Sequence, residues 1–247
     1  MILYSLGKYI LLLKAVFRKP ERWNIYRKEI FKEISYNWDK ITSHLRQQAY
    51  LVKGLHIVVL DLRNVKHKID ENKAYYLDDY LAALAIDTPS LSFYFEGGLL
   101  SLVRFYNQLL KPVHKNIFYI EKEVTLENNM PVAVEVSLQY VDDMSTRLSA
   151  FANNIYNPEG GTHVTGFKTA LTRTINAYGR KNGFIKEQDE NFTGDDVLEG
   201  LTGVVSVKIR EIQFEGQTKG KLGSVEAQSA VANVFGEGFS SFLEENP

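Results

Sequence analysis

Apolar and polar positions alternate along this chain with two periodicities, that of a strand and that of a helix, and together predict an α+β protein. Residues 132–138 carry valine or leucine at every second position, which is the period of a half-buried strand. Residues 38–50 and 99–110 repeat apolar side chains every three to four positions, as amphipathic helices do. Strands and helices follow one another without long repeats. The pattern therefore predicts a mixed sheet with helices on one face.

The same periodicities predict the remaining helices and strands. We predict strands over 55–62, 91–95, 116–123, 132–140, 147–152 and 203–209, helices over 164–180 and from 224 onward, and a short helix over 195–201. Thr162 is predicted to cap the helix 164–180, because its hydroxyl can accept a free backbone N–H. Residues 66–90 read as an insertion with a short helix over 74–85, and residues 214–223 as a polar, glycine-rich loop.

The first 34 residues differ from the rest of the chain in charge. They carry a net charge of +5, whereas the remaining residues carry −6. Helical periodicity predicts two helices here, one over 3–18 and one that starts at Pro20, a residue suited to the first helical position. A basic amphipathic element of this kind can lie on a membrane surface, and it can equally be a helical hairpin packed on its own protein. Both interpretations stay open.

Composition excludes several classes of protein. The chain has no cysteine, so it has neither a disulfide framework nor a cysteine-based zinc site. Its five histidines are never spaced as ligands on one helix, and we expect no metal site. No Walker loop, nucleophile elbow or zinc-protease motif is present. No apolar stretch approaches the roughly 20 residues that span a bilayer, which predicts a cytoplasmic protein.

The loop 214–223 carries the clearest candidates for a functional role. Lys219 and Lys221 lie on it just before a helix, and Gln217 adds a neutral donor. A lysine on such a loop can neutralise charge that develops on a phosphoryl group, without binding the rest of a nucleotide. The alternative is a solvated surface loop, and the local residues alone do not decide between the two.

Ten stretches of the chain occur in the order in which a known family has them. They are 44–54 (HLRQQAYLVKG), 95–98 (FEGG), 113–119 (VHKNIFY), 152–155 (ANNI), 159–167 (EGGTHVTGF), 170–174 (ALTRT), 193–196 (TGDD), 199–201 (EGL), 205–208 (VSVK) and 214–223 (FEGQTKGKLG). On these residues the chain from about Tyr36 to Pro247 resembles the transducer, the second domain of the DNA gyrase B protein, and its topoisomerase IV equivalent.

The resemblance implies a fold and a mechanism. It implies a left-handed βαβ fold shared with a ribosomal protein domain, in contrast to the usual right-handed crossover. It implies that Lys219 and Gln217 contact the γ-phosphate of ATP, which a preceding ATPase domain holds together with magnesium. The implied role is to couple nucleotide turnover to the passage of one DNA duplex through another. The implied partners are the DNA duplex, a gyrase A-type subunit and a second copy of the gyrase B protein.

Four basic residues on or just after the helix 164–180 are candidates for contact with DNA. They are Lys168, Arg173, Arg180 and Lys181. In the family this region can line the cavity that holds the transported duplex. Contacts from such side chains to phosphates would be independent of sequence. The alternative is a solvated helix face.

The resemblance divides the chain into three parts. Residues 1–34 form the basic helical segment, 35–223 the transducer domain, and 224–247 a C-terminal helix that leads toward a metal-binding domain. Residues 1–34 do not resemble gyrase, and 8–33 faintly resemble the N-terminal helix of a lipid-transport ABC permease. The alternative function is therefore a membrane-surface or structural protein, in which a permease helix is fused to a repurposed α+β domain. Since we find no magnesium ligands, we expect the chain alone to be inactive as an ATPase.

Overall fold

The computed structural model describes residues 37–61, 89–126 and 130–247. Contacts divide the chain after Glu96 into two units, which are described one at a time. The predicted helices in 1–34 and the predicted helix over 74–85 lie outside the described residues. The domain boundaries at 34 and 223 stay predictions.

The described residues of the first unit form one helix and one strand pair. Helix α1 (Trp38–Leu51) begins after Asn37, whose side-chain oxygen accepts the Lys40 N–H at 2.9 Å. Strands β1 (His56–Leu60) and β2 (Ser90–Tyr94) pair antiparallel. Their inward side chains and those of α1 form a small core that includes Leu45, Ala49, Ile57, Val59 and Phe93. The helix and both strands were predicted from periodicity and are confirmed.

The second unit is a five-stranded mixed sheet with three helices among the described residues. Its elements in chain order are α2 (Gly98–Tyr106), β3 (Phe118–Thr125), β4 (Pro131–Tyr140), β5 (Arg147–Ala152), β6 (Ile155–Tyr156), α3 (Thr162–Lys181), β7 (Leu201–Ile209), β8 (Phe214–Glu215), β9 (Lys221–Leu222) and α4 (Glu226–Glu245). The strand order is β3-β4-β7-β5-β6. Strands β5 and β7 are parallel and the other neighbours antiparallel, which confirms the predicted mixed sheet.

Helices α3 and α4 cover one face of this sheet. Alternate residues of β4, from Val132 to Leu138, are fully buried there against Phe167 and Leu171 of α3 and Phe235 of α4. Phe118 of β3 meets three aromatic rings of α4 edge-on, with centroids 5.2 to 5.5 Å apart. Because α3 connects the parallel strands β5 and β7, its position is fixed by the sheet and by this core together.

The prediction that all helices lie on one face is wrong for α2. The opposite face of β4 carries Ser137 and Gln139, which are also buried. Gln139 accepts a hydrogen bond from Asn107, the residue that follows α2. Helix α2 covers these side chains, and their hydrogen bonds make burial of the polar groups tolerable.

Three local predictions also needed correction. Gly161, not Thr162, occupies the position before α3, and the Thr162 hydroxyl instead donates to the Ser224 carbonyl at 2.6 Å. The predicted loop 214–223 contains the two short paired strands β8 and β9. The predicted helix over 195–201 is a single 3₁₀ turn, Asp196–Leu198. No helix among the described ranges combines the length and the apolarity needed to cross a bilayer.

Candidate functional site

The segment 214–222, called here the lysine hairpin, presents Gln217 and Lys219 at an exposed turn. Strands β8 and β9 form its stem, and residues 216–219 form the turn between them. Gly216 has a φ of 81° and Lys219 a φ of 55°, both in the left-handed region. A non-glycine residue is uncommon there, and such strain often marks functional loops. The predicted phosphate-contact residues therefore lie together at one tip.

The side chain of Lys219 rests on its own hairpin. Its Nζ lies 5.9 Å from the centroid of the Phe214 ring, within the range of a cation–π contact. Within residues 37–61, 89–126 and 130–247, no carboxylate forms an ion pair with it. The ammonium group is therefore held near the tip while remaining available to an anion.

Lys221 differs from Lys219 in this respect. It faces Glu215 across the hairpin, and the two side chains form an ion pair of 2.9 Å. Both side chains are partly exposed, so the pair contributes at most about 1 kcal/mol to stability. Its main effect is to direct the Lys221 charge toward the stem of the hairpin. Two lysines that look equivalent in sequence therefore have different surroundings.

Residues 157–161, called here the anchor loop, are hydrogen-bonded to the lysine hairpin. The Asn157 side chain donates to the Lys219 carbonyl at 2.8 Å. The Glu159 N–H donates to the Gly220 carbonyl at 3.0 Å, and the Leu222 N–H donates to the Gly160 carbonyl at 2.9 Å. Three hydrogen bonds thus fix the far side of the exposed turn to the segment that leads into α3.

His163 lies directly after this anchor loop, in the first turn of α3. Its side chain is fully buried, and neither ring nitrogen has a hydrogen-bond partner in the described part of the chain. Burial disfavours the charged imidazolium and lowers the pKa of His163 to about 4. The ring is therefore neutral at pH 7. Its surroundings support a packing role.

A basic groove runs along the exposed side of α3. It is a shallow depression of about 700 Å³, largely open to solvent, between the helix and residues 191–194, and three of the four predicted DNA-contact residues line it: Lys168, Arg173 and Arg180. Asn176 fixes the opposite wall, because its side chain donates to the Phe192 carbonyl and accepts the Phe192 N–H. The groove is thus a defined feature of the fold.

The four basic residues are not equivalent. Arg180 donates to the Asn191 side chain and to the carbonyls of Lys186 and Asp189, so it fixes the segment after α3. Lys181 is hydrogen-bonded to Glu244 of α4 at 2.6 Å, which raises the pKa of Lys181. Lys168 and Arg173 have no ion pair among the described residues, and Arg173 lies over Gly236 of α4. These two are the better candidates for a polyanion.

Metal ligands do not converge anywhere in the described ranges. Within residues 37–61, 89–126 and 130–247, no group of three or more His, Asp or Glu side chains could hold an ion. At the tip, the Lys219 ammonium and the Gln217 amide offer donors, which suit an anion. Sequence reasoning missed Asn157 as a part of this site. Nothing in its one-dimensional context separates it from an ordinary loop asparagine before a proline.

Comparison with known proteins covers most of the chain. A model of the DNA gyrase B family matches residues 98–247. The DNA gyrase B protein of Clostridium acetobutylicum is 42% identical over 219 residues, and that of Halalkalibacterium halodurans is 42% identical over 220. Each alignment covers 89% of this chain but 30% of the relative. The chain thus spans less than a third of the length of these relatives.

Solved structures give the same result. The 43K ATPase domain of Thermus thermophilus gyrase B, in complex with an aminocoumarin, matches with a TM-score of 0.70 and 34% identity. That match covers 90% of this chain and 52% of the other. The topoisomerase IV ATP-binding domain of Francisella tularensis matches with a TM-score of 0.65 at 24% identity, over 90% of this chain and 52% of that one, which supports the fold alone.

These findings separate the two resemblances that the sequence suggested. The faint likeness of residues 8–33 to a lipid-transport permease receives no support from the comparisons, and neither does contact with a membrane surface. The likeness to gyrase B extends over more than half of the chain in the family match and includes both the lysine hairpin and the basic groove. The chain therefore belongs to the DNA gyrase B family.

Proposed function

We propose that residues 35–223, with α4 packed on their sheet, act as the transducer of a type II DNA topoisomerase of the gyrase B kind. In this role the domain couples ATP binding and hydrolysis to the passage of one DNA duplex through another, and its βαβ unit has the left-handed form. The observation that carries the proposal is the position of Lys219. Its side chain is exposed on a strained turn, while its backbone is fixed by the buried Asn157.

Lys219 would supply positive charge to the γ-phosphate of ATP, and Gln217 would add a neutral donor beside it. Charge placed where a phosphoryl group becomes more negative lowers the barrier to its transfer. The rest of the nucleotide would be bound by the ATPase domain that the resemblance implies. The described residues do not fit a magnesium site, because no set of carboxylates converges near the hairpin, and we assign the ion no ligand here.

The basic groove would contact the phosphates of the transported duplex. Lys168 and Arg173 would make these contacts, while Arg180 would preserve the shape of the groove. Such contacts carry no sequence information, which suits a protein that must pass any duplex. A gyrase A-type subunit and a second copy of the gyrase B protein would complete the assembly. The alternative of a membrane-surface or structural protein is not favoured, since the family match spans 98–247.

A segment exchange tests the proposal. Residues 36–247 replace the aligned segment of the full-length Clostridium acetobutylicum gyrase B protein, and ATP hydrolysis is measured with gyrase A and DNA. Lys219→Ala should lower hydrolysis about 100-fold, the scale for loss of one donor to a developing anion. Lys219→Arg should restore it only in part, because the guanidinium places its charge differently.

Lys221→Ala is the matched control. It removes the same charge two residues away, from a side chain that is already paired with Glu215. We expect it to leave hydrolysis within twofold of the parent, roughly the effect of a partly exposed ion pair. Equal losses from the two alanine variants would show that only the general charge of the loop matters, and the role of Lys219 would be wrong.

A further inference from the structure

Asn157 is a buried polar residue whose hydrogen bonding is incomplete. Its side chain is 2% exposed. The amide nitrogen donates to the Lys219 carbonyl at 2.8 Å, whereas the amide oxygen is buried and has no partner among the described residues. A buried polar atom without a partner costs stability, so such a group calls for an explanation. Among the described residues, the hydrogen bond to the Lys219 carbonyl is the one that this side chain makes.

The neighbouring backbone bonds do not replace this contact. Glu159 and Gly160 bond to Gly220 and Leu222, which lie beyond the exposed turn. On the other side, the Lys219 N–H reaches the Gly216 carbonyl only at 3.4 Å, a long and weak bond. The Asn157 amide is therefore the side-chain group that holds the peptide plane after Lys219.

That peptide plane sets the direction of the lysine. Lys219 is a non-glycine residue with a φ of 55°, a conformation that costs roughly 1 kcal/mol and persists only where the surroundings enforce it. Fixing the carbonyl fixes the orientation of the strained residue and hence the direction of its Cα–Cβ bond. Loss of the bond would let the residue relax toward ordinary backbone conformations and move its ammonium group.

We infer that Asn157 is a positioning residue for Lys219: its buried amide holds the Lys219 carbonyl and thereby aims the lysine at the phosphate. This inference rests on the proposed function for its consequence in catalysis. The positioning itself is a property of the isolated chain and is measurable without nucleotide.

The first experiment measures the positioning on the full 247-residue chain. Trypsin cleaves after lysine, and the carbonyl of the Lys219–Gly220 bond is the atom that Asn157 holds. Cleavage there requires local release of this carbonyl, so its rate under native conditions reports the opening of the turn. Cleavage after Lys168, inside α3, reports larger-scale opening in the same sample.

Two variants remove the amide donor in different ways. Asn157→Asp keeps the shape but places an acceptor against the carbonyl, and Asn157→Leu keeps a similar volume without polar atoms. If the buried carboxylate of Asn157→Asp destabilises the whole fold, Asn157→Leu still tests the inference, because it introduces no charge. Each should raise the rate of cleavage after Lys219 by about fivefold to tenfold, the scale of one hydrogen bond, and leave cleavage after Lys168 unchanged.

Asn153→Asp is the matched control. The Asn153 amide also donates to a backbone carbonyl at 2.8 Å, but to that of Ile209 in β7. This variant undergoes the same chemical change in the same stretch of chain and should leave cleavage after Lys219 at the parental rate. Unchanged cleavage in both Asn157 variants would overturn the inference. An equal rise from Asn153→Asp would do so as well.

The second experiment uses the exchanged gyrase B protein. Asn157→Leu should lower kcat for ATP hydrolysis while leaving KM within about twofold, because the nucleotide is held elsewhere. It should have no further effect in a Lys219→Ala background, since it acts through that lysine. Additive losses would contradict the positioning role. If Lys219→Ala itself had no effect, the proposed function would fail, while the trypsin result would still decide whether Asn157 positions the lysine.

Discussion

Gly161 and Leu222 approach each other so closely that no side chain fits between them. The two residues form a parallel bridge, and a Cβ atom at position 161 would overlap the backbone nitrogen and oxygen of Leu222. Gly161 also has a φ of 129°, which L-residues rarely adopt. The anchor loop and the lysine hairpin are thus joined backbone to backbone, immediately before α3 begins.

Replacing Gly161 should therefore be costly. We expect Gly161→Ala to lower the free energy of unfolding by more than about 2 kcal/mol, because it combines backbone strain with overlap against a main chain that cannot move aside. Urea denaturation measures the difference. Gly183→Ala is the control: Gly183 also has a positive φ, but a Cβ there would meet nothing within 4 Å. Gly183→Ala should lower the free energy of unfolding by only about 1 kcal/mol. Equal losses would show that the close approach to Leu222 is unimportant.

The buried His163 should make stability depend on pH. Its pKa is about 4 in the folded protein, below the value of 6.5 in an unfolded chain. The unfolded state therefore binds the proton first. Stability should be unaffected above pH 6.5, fall between pH 6.5 and 4, and level off below that. The full loss is about 3 kcal/mol by the linkage relation.

The contribution of His163 to the pH dependence is obtained by comparing variants with the parent. His163→Leu should give a flatter profile of unfolding free energy between pH 6.5 and 4, since neither ring nitrogen bonds to any described residue. His44→Leu, at an exposed position of α1, should leave the slope as in the parent. If the two variants gave the same profile, burial of His163 would not be the source of the pH dependence.

The basic groove leads to a prediction about DNA binding. Lys168→Ala and Arg173→Ala should each weaken binding to duplex DNA equally for unrelated sequences, and each should reduce the slope of log K against log salt by about 1. Lys181→Ala should change that slope less, because Glu244 already pairs with this lysine. Fluorescence anisotropy over a salt series measures the slopes. Equal slopes for all three variants and the parent would exclude the groove as the contact surface.

Arg180→Ala should affect the stability of the fold as well as DNA binding. Its guanidinium donates to three groups in the segment 186–191, so its removal leaves those acceptors without this donor. We expect a lower melting temperature together with weaker DNA binding. A variant that lost binding at unchanged melting temperature would place Arg180 among the direct contacts.

Periodicity predicted most elements because their burial is one-sided. The alternation from Val132 to Leu138 and the apolar stripe of α3 both face the same core, and both elements lie where they were predicted. Periodicity failed where polar residues are buried. A half-buried strand leaves one face to solvent, yet Ser137 and Gln139 on the second face of β4 lie under α2 and bond to the residue after it and to neighbouring backbone. A sequence does not show which polar groups will find partners.

The candidate site could be predicted only in part for a related reason. Lys219 and Gln217 were candidates as cationic and neutral donors on a polar loop, and the resemblance implied their role; both lie on one exposed turn. Asn157 lies 62 residues away along the chain, and the hydrogen bond that connects it to Lys219 depends on how α3 and the hairpin meet. The unequal surroundings of Lys219 and Lys221 likewise follow from strand register, which fixes Glu215 opposite Lys221.

The strained backbone of Lys219 leads to a last prediction, on stability. Lysine is strained in the left-handed conformation, whereas asparagine adopts it readily because its short side chain can bond locally. The substitution also loses the contact with Phe214, which is worth about 0.5 kcal/mol at an exposed site. Since the strain is roughly 1 kcal/mol or more, Lys219→Asn should raise the free energy of unfolding by about 0.5 kcal/mol.

Two further variants make this prediction sharp. Lys219→Val should lower the free energy of unfolding by at least about 1 kcal/mol, because a β-branched side chain tolerates a positive φ least. Lys221→Asn should lower it slightly, since position 221 is extended and pairs with Glu215. The expected order of stability at position 219 is therefore asparagine, lysine, valine. An order in which lysine is the most stable would show that the turn is not strained, and that the position of Lys219 is maintained at no cost to the fold.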